Sequence, residues 1–240
     1  MPVVSAYEPL FRFEYGGVVR SWAFYDLTVA TTEPSLRPAR QERSRASLER
    51  LLAAGTRLLE EKGYEGFTLA EVSRRARVSI GSIYARVESK DALFQAIHER
   101  FMAELTEAYG AFDEAGRWET LDTPELVRSA VRELAAGFTV NARLLSVIMH
   151  RGAVDQAVTA RGSAASAVHA ERFERLLLDR AGEIRHPDPA LAVDMCFRMV
   201  FCTLARQIMY GPTFESAERV GWDALVDELG DLCVGYLLRR

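Results

Sequence analysis

Residues 79–86 combine small hydrogen-bonding side chains with an arginine, a set that suits contact with the edges of nucleic-acid bases. An arginine such as Arg86 can donate two parallel hydrogen bonds to guanine, and an apolar side chain such as Ile80 can contact a thymine methyl group. Gly81 has no side chain and would let the backbone approach closely. The candidates for base contact are Ser79, Ile80, Gly81, Ser82 and Arg86.

Phosphate contact is predicted on the N-terminal side of this set. Thr68 stands at a predicted helix start, where its hydroxyl and the free backbone amides behind it can bind a phosphate oxygen. A basic arm before the first predicted helix suits contact with the sugar-phosphate backbone or the minor groove. The residues of this arm are Arg37, Arg40, Arg43 and Arg45.

Two short helices and a tight turn must position these side chains. Thr68 and Glu71 have the spacing of a capping box, and Ser79 is a second N-cap residue. Residues 76–78 between the two helices have the length of a helix-turn-helix turn. Each helix is too short to be stable alone, so both must pack on neighbouring elements.

Two longer helices with apolar faces supply the packing surface. The preceding helix has leucines at the i, i+3, i+4 spacing of one face, and Gly63 suits the position after its last turn. The following helix begins after the N-cap residue Ser89, with Asp91 in its first turn, where a negative charge suits the helix dipole. The apolar residues are Leu48, Leu51, Leu52, Leu58 and Leu59 in the first, and Leu93, Phe94, Ile97, Phe101 and Leu105 in the second.

Residues 40–100 therefore resemble the DNA-reading end of a TetR-family transcriptional regulator. The resemblance rests on Thr68-Leu-Ala-Glu-Val72, Val78-Ser-Ile-Gly-Ser-Ile-Tyr84 and Ser89-Lys-Asp-Ala-Leu93. Two residues depart from the family pattern: Arg77 stands where the family usually has Gly, and Val87 stands where it usually has Phe. A residue with a side chain is strained at positive φ, so the first departure puts the geometry of the turn in question.

The resemblance implies a function as well as a fold. Tyr84 and Lys90 match the residues with which the family contacts phosphate. The family further implies a homodimer on a palindromic, double-stranded DNA operator, and a repressor that leaves the operator when an effector enters its body. The chain has only two lysines, Lys62 and Lys90, and Lys90 occupies the position that the family uses for phosphate contact.

The distribution of charge agrees with a single nucleic-acid face. Residues 37–90 contain 12 Arg and Lys against 7 Asp and Glu, a local balance of +5, whereas the whole chain carries −4. The rest of the chain therefore sums to −9. A basic head on an acidic body is expected when only one end meets phosphate.

The remaining sequence predicts helices only. Helix starts are expected at Thr123, before Pro124, and at Asp188, before Pro189. Further helices are expected at residues 144–149, at 155–181 and from about Ser216 to the end. The predicted fold class is all-α, with a three-helix helix-turn-helix DNA-binding head at 37–90 and a helical effector-binding and dimerisation body at 91–240.

The last two helices are the candidates for the dimer interface. Their apolar faces are broad, and a two-fold operator requires a two-fold protein. The interface residues are predicted as Trp222, Leu225, Leu229, Leu232, Cys233 and Tyr236. The alternative is that these stripes face only the core of the protomer.

An effector pocket is expected among the middle helices of the body. Binding sites are mostly apolar with a few polar groups, which predicts a small apolar or amphipathic effector. The candidate lining is Phe112, Phe138, His150, His169, Met195, Cys196, Met199 and Thr203. Ordinary core residues give the same pattern, so the alternative for each of these side chains is simple packing.

Residues 1–36 do not fit the family pattern. Their aromatic content is high, and the alternation at residues 11–15 before Gly16-Gly17 predicts a β-hairpin. Two interpretations stay open, an accessory N-terminal segment and a native chain that starts further in.

Composition and motifs argue against other classes of protein. The sequence contains no Gly-rich phosphate loop, no His-Glu-x-x-His and no Gly-x-Ser-x-Gly, so neither an enzyme nor a bound cofactor is expected. The 3 cysteines are an odd number, so at least one is unpaired within the monomer. They lie in predicted apolar helices, which indicates core residues in the reducing cytoplasm. No apolar run reaches the ~20 residues that span a membrane. The alternatives kept are a metal-sensing protein that uses His150, His169 and Cys196, and a helical small-molecule-binding protein without DNA-binding activity.

Overall fold

The computed structural model describes residues 14–15, 18–19, 38–114 and 116–239, with side chains from residue 44 onward except residue 115. Within this part of the chain the helices are α1 (Pro38–Gly66), α2 (Leu69–Ala76), α3 (Ile80–Tyr84), α4 (Lys90–Ala108), α5 (Thr123–Thr139), α6 (Ala142–Gly152), α7 (Gln156–Leu178), α8 (Pro189–Tyr210) and α9 (Trp222–Leu238). Two short 3-10 helices lie at Tyr109–Asp113 and Ala181–Glu183. The all-α fold class is confirmed.

The chain divides into two units, at Met1–Gln41 and Glu42–Arg240. In the first, strand β1 (Glu14–Tyr15) pairs antiparallel with strand β2 (Val18–Val19), with Glu14 opposite Val19 and Tyr15 opposite Val18. The predicted hairpin is therefore present over these four residues. The other residues of the segment 1–36 lie outside the described part of the chain.

The predicted caps start the helices of the head. Thr68 accepts a hydrogen bond from the Glu71 amide at 3.3 Å, and Ser79 accepts one from the Ser82 amide at 3.2 Å. Ser89 does the same for α4 at 3.0 Å from the Ala92 amide. Each hydroxyl thus satisfies a donor that the first turn of a helix leaves free.

Apolar packing holds α1, α2 and α3 of the head together. Leu51, Leu58 and Leu59 of α1 are fully buried together with Val72 of α2 and Ile83 of α3. Leu48, predicted on the same face of α1, lies at its edge and is 36% exposed. The regular part of α1 ends at Gly63, whose φ of 65° and ψ of −175° break the helical geometry there.

The body is built around α5, which packs mainly on α9 and also contacts α6, α7 and α8. Tyr109, at the end of α4, crosses α5 at Gly137 and is 2% exposed. A β-carbon at Gly137 would overlap the ring and hydroxyl of Tyr109, so this close approach depends on glycine.

Three predicted helix ends differ from the structure. The N-cap of α5 is Asp122, one residue before the predicted Thr123, and it accepts from the Glu125 amide at 2.9 Å. Thr123 instead donates to Glu183 at 2.6 Å. The long helix α7 ends at Leu178 rather than near residue 181, and α9 begins at Trp222 rather than near Ser216.

In the described residues, no helix combines the length and the apolar character that a bilayer crossing requires.

Candidate nucleic-acid interface

A groove of about 540 Å³ opens on the surface of the head where α2, α3 and α4 meet. Its walls are the first residues of α2, two side chains of α3 and the first residues of α4. The lining residues are Thr68, Leu69, Ala70, Ile80, Tyr84, Glu88, Ser89 and Lys90. Three predicted phosphate contacts, Thr68, Tyr84 and Lys90, thus share one groove although they come from three helices.

The groove suits an anion because two helix N-termini open onto it. The N-terminal turns of α2 and α4 present backbone amides there, and Lys90 adds a full positive charge. The Tyr84 side chain is 58% exposed, so it is a surface side chain and not a core aromatic. Glu88 is the one acidic side chain in the lining, so the balance of charge in the groove depends on Lys90.

Helix α3 presents a small, open surface to solvent. Ser79 and Gly81 are exposed, and Ile80 is 42% exposed. A β-carbon at Gly81 would meet nothing within 4 Å, so nothing in the chain itself requires glycine at that position. The Ser79 and Ser82 hydroxyls hydrogen-bond to each other at 2.8 Å.

Arg86 is turned back onto the protein rather than extended. Its Nη1 donates to the Ser82 carbonyl at 2.7 Å, and its Nη2 donates to the Ser44 hydroxyl of α1 at 3.3 Å. The side chain therefore ties the end of α3 to α1, and contact with a base edge would require it to leave both partners.

The predicted basic arm does not precede the first helix. Arg40, Arg43 and Arg45 lie within α1, which already begins at Pro38. Arg45 is exposed, whereas the side chain of Arg43 and the whole of Arg37 lie outside the described residues. Any contact with DNA from this region would come from the first turns of α1 itself.

The arginines of α2 are held by carboxylates. Glu71 accepts from Arg74 at 2.6 Å and from Arg75 at 3.0 Å, and Arg75 also pairs with Glu61 at 2.6 Å. These hydrogen bonds lower the pKa of Glu71 to about 2. The charge of Arg74 and Arg75 is thus partly neutralised within the head.

The sequence did not indicate the role of Tyr64, which joins the head to the body. Its ring lies between the Lys90 ammonium, 4.2 Å from the ring centroid, and the Arg151 guanidinium, 4.1 Å away. The Tyr64 hydroxyl also donates to Asp91, and Arg151 pairs with Asp155 at 3.3 Å. Because Arg151 belongs to α6, the end of a body helix is linked to the groove residue Lys90 through the Tyr64 ring.

The predicted effector residues do not converge on one cavity. Phe112 packs against Trp118 and Phe173, whereas Phe138 packs against Phe201. Cys196 lies in the core beside Cys233. The side chains that face solvent instead are His150, Met195 and Met199, and the half-buried Thr203 donates to its own helix at the Met199 carbonyl, 2.7 Å away. The prediction that all of these side chains line a single effector pocket is therefore wrong, because Met195 and Met199 of α8 face solvent.

His169, unlike the exposed His150, is buried inside the body. The residue is 3% exposed, and neither ring nitrogen has a hydrogen-bond partner among the described residues. Its ring centroid lies 4.0 Å from that of Tyr109, whose hydroxyl donates to the Leu134 carbonyl at 3.0 Å. Burial lowers the pKa of His169 to about 4, so the ring is neutral.

The structure divides the predicted dimer residues into two sets. Leu229 and Cys233 are buried in the protomer's own core, where Cys233 lies beside Cys196 of α8, and their assignment to a dimer surface is wrong. Leu232 is 61% exposed and Tyr236 is 39% exposed. Trp222 and Leu225 are half-buried at the edge of the same outer face.

The proposed metal ligands also lie apart. No group of three or more His, Cys, Asp or Glu residues with metal-binding geometry occurs in the described part of the chain. His150 is exposed on α6, whereas His169 and Cys196 are buried in α7 and α8.

A capped helix-turn-helix with an anion-binding groove, on an α-helical body, defines a helix-turn-helix DNA-binding protein. The family model described as bacterial regulatory proteins, tetR family, matches residues 51–97, and the model described as tetracyclin repressor-like, C-terminal domain, matches residues 122–237. The chain therefore belongs to the tetR family and is a ligand-responsive, DNA-binding transcriptional regulator.

Solved structures share the fold. A tetR-family protein from Rhodococcus RHA1 matches with a TM-score of 0.60 at 16% identity, over 81% of this chain and 97% of its own. A TetR-family regulator from Mesorhizobium loti matches with a TM-score of 0.58 at 18% identity, over 80% and 97%. FadR from Bacillus subtilis, solved with stearoyl-CoA, matches with a TM-score of 0.58 at 14% identity, over 79% and 99%. No curated protein matches the chain by sequence.

Proposed function

We propose that this regulator binds a palindromic operator as a homodimer and represses transcription until a small apolar or amphipathic molecule enters its body. The DNA-binding head comprises residues 37–90 and the body residues 91–240. The observation that carries the proposal is the groove, where Thr68, Tyr84 and Lys90 meet two helix N-termini.

Each DNA-binding residue has a proposed role in this arrangement. Thr68, Tyr84 and Lys90 hold one phosphate segment, and this fixes the position of α3 in the major groove. Arg43 and Arg45 contact the backbone from the start of α1. Base readout comes from Ser79, Ile80, Gly81 and Ser82, with Arg86 joining them when it leaves Ser82 and Ser44.

Replacing Lys90 with Ala should weaken binding to all DNA sequences alike. The variant loses one phosphate contact, so the slope of log K against log salt should fall by about one. Lys62→Ala is the matched control, because Lys62 is an exposed lysine of the head outside the groove. The measurement is fluorescence anisotropy with the DNA flanking the gene, over a range of salt concentrations.

An equal response of the two lysine variants would contradict the proposed role of the groove. A loss of affinity for the specific site alone, with the salt slope unchanged, would also contradict it.

The outward faces of α8 and α9 support the homodimer. Met195 and Met199 are exposed on α8, and Leu232 and Tyr236 are exposed on α9. Apolar side chains grouped on two neighbouring helices are typical of an interaction surface. Paired with their copies, the two helices would form a four-helix interface.

The effector site is proposed around His169 and Tyr109. A buried histidine without partners is costly unless a polar group can join it, and the Tyr109 ring lies against it. A hydrogen-bonding group on an amphipathic molecule would supply the partner that the ring lacks. FadR of Bacillus subtilis, which shares the fold, was solved with stearoyl-CoA, so this acyl-CoA is a sensible first probe in a thermal-shift assay.

Helix α6 is proposed to transmit the effector signal, because it contacts α1 at both of its ends. Asn141, its N-cap residue, donates to Glu60 at 2.6 Å, and Arg151 in its last turn stacks on Tyr64. Glu60 lies in the last regular turn of α1 and Tyr64 directly follows the break at Gly63, so α6 contacts the end of regular α1 on both sides of that break. Movement of α6 would thus shift α1 and, through Tyr64, the Lys90 side chain.

Replacing Arg151 with Ala should reduce DNA affinity without added effector by about 1 kcal/mol, or about fivefold. The variant loses the contact with Tyr64 and the ion pair with Asp155, so Lys90 is held less well. Arg143→Ala is the control on the same helix, since Arg143 is exposed and is expected to leave affinity unchanged. Equal affinities of both variants and the parent protein, in the same anisotropy assay, would remove α6 from the proposed route.

Transcription from the cognate promoter tests the direction of regulation. Deletion of the gene should raise expression if the protein is a repressor. A fall in expression on deletion would show that it is an activator.

A further inference from the structure

The turn between α2 and α3 contains a strained residue. Arg77 has φ 53° and ψ 43°, the left-handed conformation, and it is the one residue other than glycine with positive φ in the described part of the chain. Side chains disfavour this conformation and glycine does not. A glycine at this position would therefore form the same turn with less strain.

The Arg77 side chain gives the fold no visible compensation for that strain. The residue is exposed, and its guanidinium makes no hydrogen bond or ion pair with any described residue. Only its backbone takes part, through the amide that donates to the Ser73 carbonyl, and glycine would keep that bond.

Its arginine neighbours are all engaged within the protein. Arg74 and Arg75 pair with Glu71 and Glu61, and Arg86 donates to the Ser82 carbonyl and the Ser44 hydroxyl. Of the arginines at positions 74, 75, 77 and 86, Arg77 alone makes no ion pair or hydrogen bond with a described residue, so its full charge is available to an external partner. That partner must be anionic.

Arg77 lies close to the surface that meets DNA. It precedes Ser79, the N-cap residue of α3, by two positions, and the exposed Ile80 and Gly81 follow directly. When the N-terminal residues of α3 lie in a major groove, a residue two positions before Ser79 is close enough for a side chain as long as arginine to reach a bordering phosphate. A guanidinium fits the geometry of a phosphate better than any other side chain does.

We propose that Arg77 is an additional contact to the DNA phosphate backbone, beyond the groove of Thr68, Tyr84 and Lys90. The strained turn then has a reason: an arginine at this position exchanges some stability of the free protein for affinity to DNA.

The variant Arg77→Gly separates these two effects. Its melting temperature should equal or exceed that of the parent protein, because the strain is removed. Its DNA affinity should fall about tenfold on operator-containing and random DNA alike, as expected for the loss of a hydrogen-bonded charge. The slope of log K against log salt should fall by about one, and Arg77→Lys should restore it.

Arg74→Ala is the matched control, since Arg74 is also an exposed arginine, one turn earlier, and its charge is already paired with Glu71. It should leave the salt slope unchanged. Unchanged affinity and slope in Arg77→Gly would overturn the proposal, as would a loss confined to the operator, which indicates base contact. A lower melting temperature would overturn it too, because Arg77 would then be a structural residue. Loss of DNA binding in Lys90→Ala tests the groove separately.

Discussion

Leu232→Glu should give a folded monomer, and Leu229→Glu should fail to fold. The two residues are three positions apart on α9, but Leu232 is 61% exposed and Leu229 is 6% exposed. At position 229 the substitution places an unpaired carboxylate in the protomer's core, at a cost of roughly 3–5 kcal/mol. This cost is a large part of the ~5–15 kcal/mol that stabilises an ordinary domain.

At position 232 the same charge faces solvent in the protomer, so it should change protomer stability by less than about 0.5 kcal/mol. In the proposed dimer it would be buried beside apolar side chains of the second copy, and the dimer should dissociate. A monomer engages only one half-site, so affinity for a palindromic operator should fall about 100-fold or more.

Sedimentation and circular dichroism measure the two outcomes. A Leu232→Glu protein that is folded and still dimeric would exclude this face of α9 as the interface. A Leu229→Glu protein as stable as the parent would contradict the packing of α9 on α5.

Gly137→Ala should destabilise the protein by about 1–2 kcal/mol. Alanine is the better helix former by about 1 kcal/mol, so an unhindered glycine in a helix would gain stability from this substitution. At Gly137 the added carbon overlaps the Tyr109 ring, which is buried and held by its hydrogen bond to the Leu134 carbonyl. Overpacking of this kind costs about 1–3 kcal/mol, sometimes more, and should exceed the gain in helix propensity.

Gly162→Ala in α7 is the control, because a β-carbon there meets nothing within 4 Å. Its free energy of unfolding should rise by up to about 1 kcal/mol. Denaturant titration compares the two variants, and two changes of the same sign would show that Tyr109 does not fill the space beside Gly137.

The starts of the head helices could be predicted because caps are local. A hydroxyl at Thr68, Ser79 or Ser89 needs only the backbone two or three residues onward, so sequence spacing determines the bond. Where two adjacent residues can cap, the choice depends on tertiary structure. Asp122 caps α5, and Thr123 is drawn to Glu183, which is distant in sequence.

The functional surfaces of the body could not be predicted in the same way. The apolar stripe of α9 is wider than one contact face, and its sequence does not show which part meets α5 and which part remains outside. The outward position of Met195 and Met199 on α8 has the same cause. The sequence likewise predicts that Arg86 extends to contact a base. Its hydrogen bond to the Ser82 carbonyl could not be predicted, because it depends on the folded geometry of α3.

The chain contains only two lysines, at positions 62 and 90. A protease that cleaves after lysine can cut only at these two peptide bonds, and both lie in the DNA-binding head. The released piece, residues 63–90, would carry the whole reading segment, and the body would remain in one fragment of residues 91–240. Since Lys90 lines the groove, bound DNA should slow the second cut and leave the first nearly unchanged. The pattern of fragments on a gel would then be a footprint of operator occupancy that needs no label and no substitution.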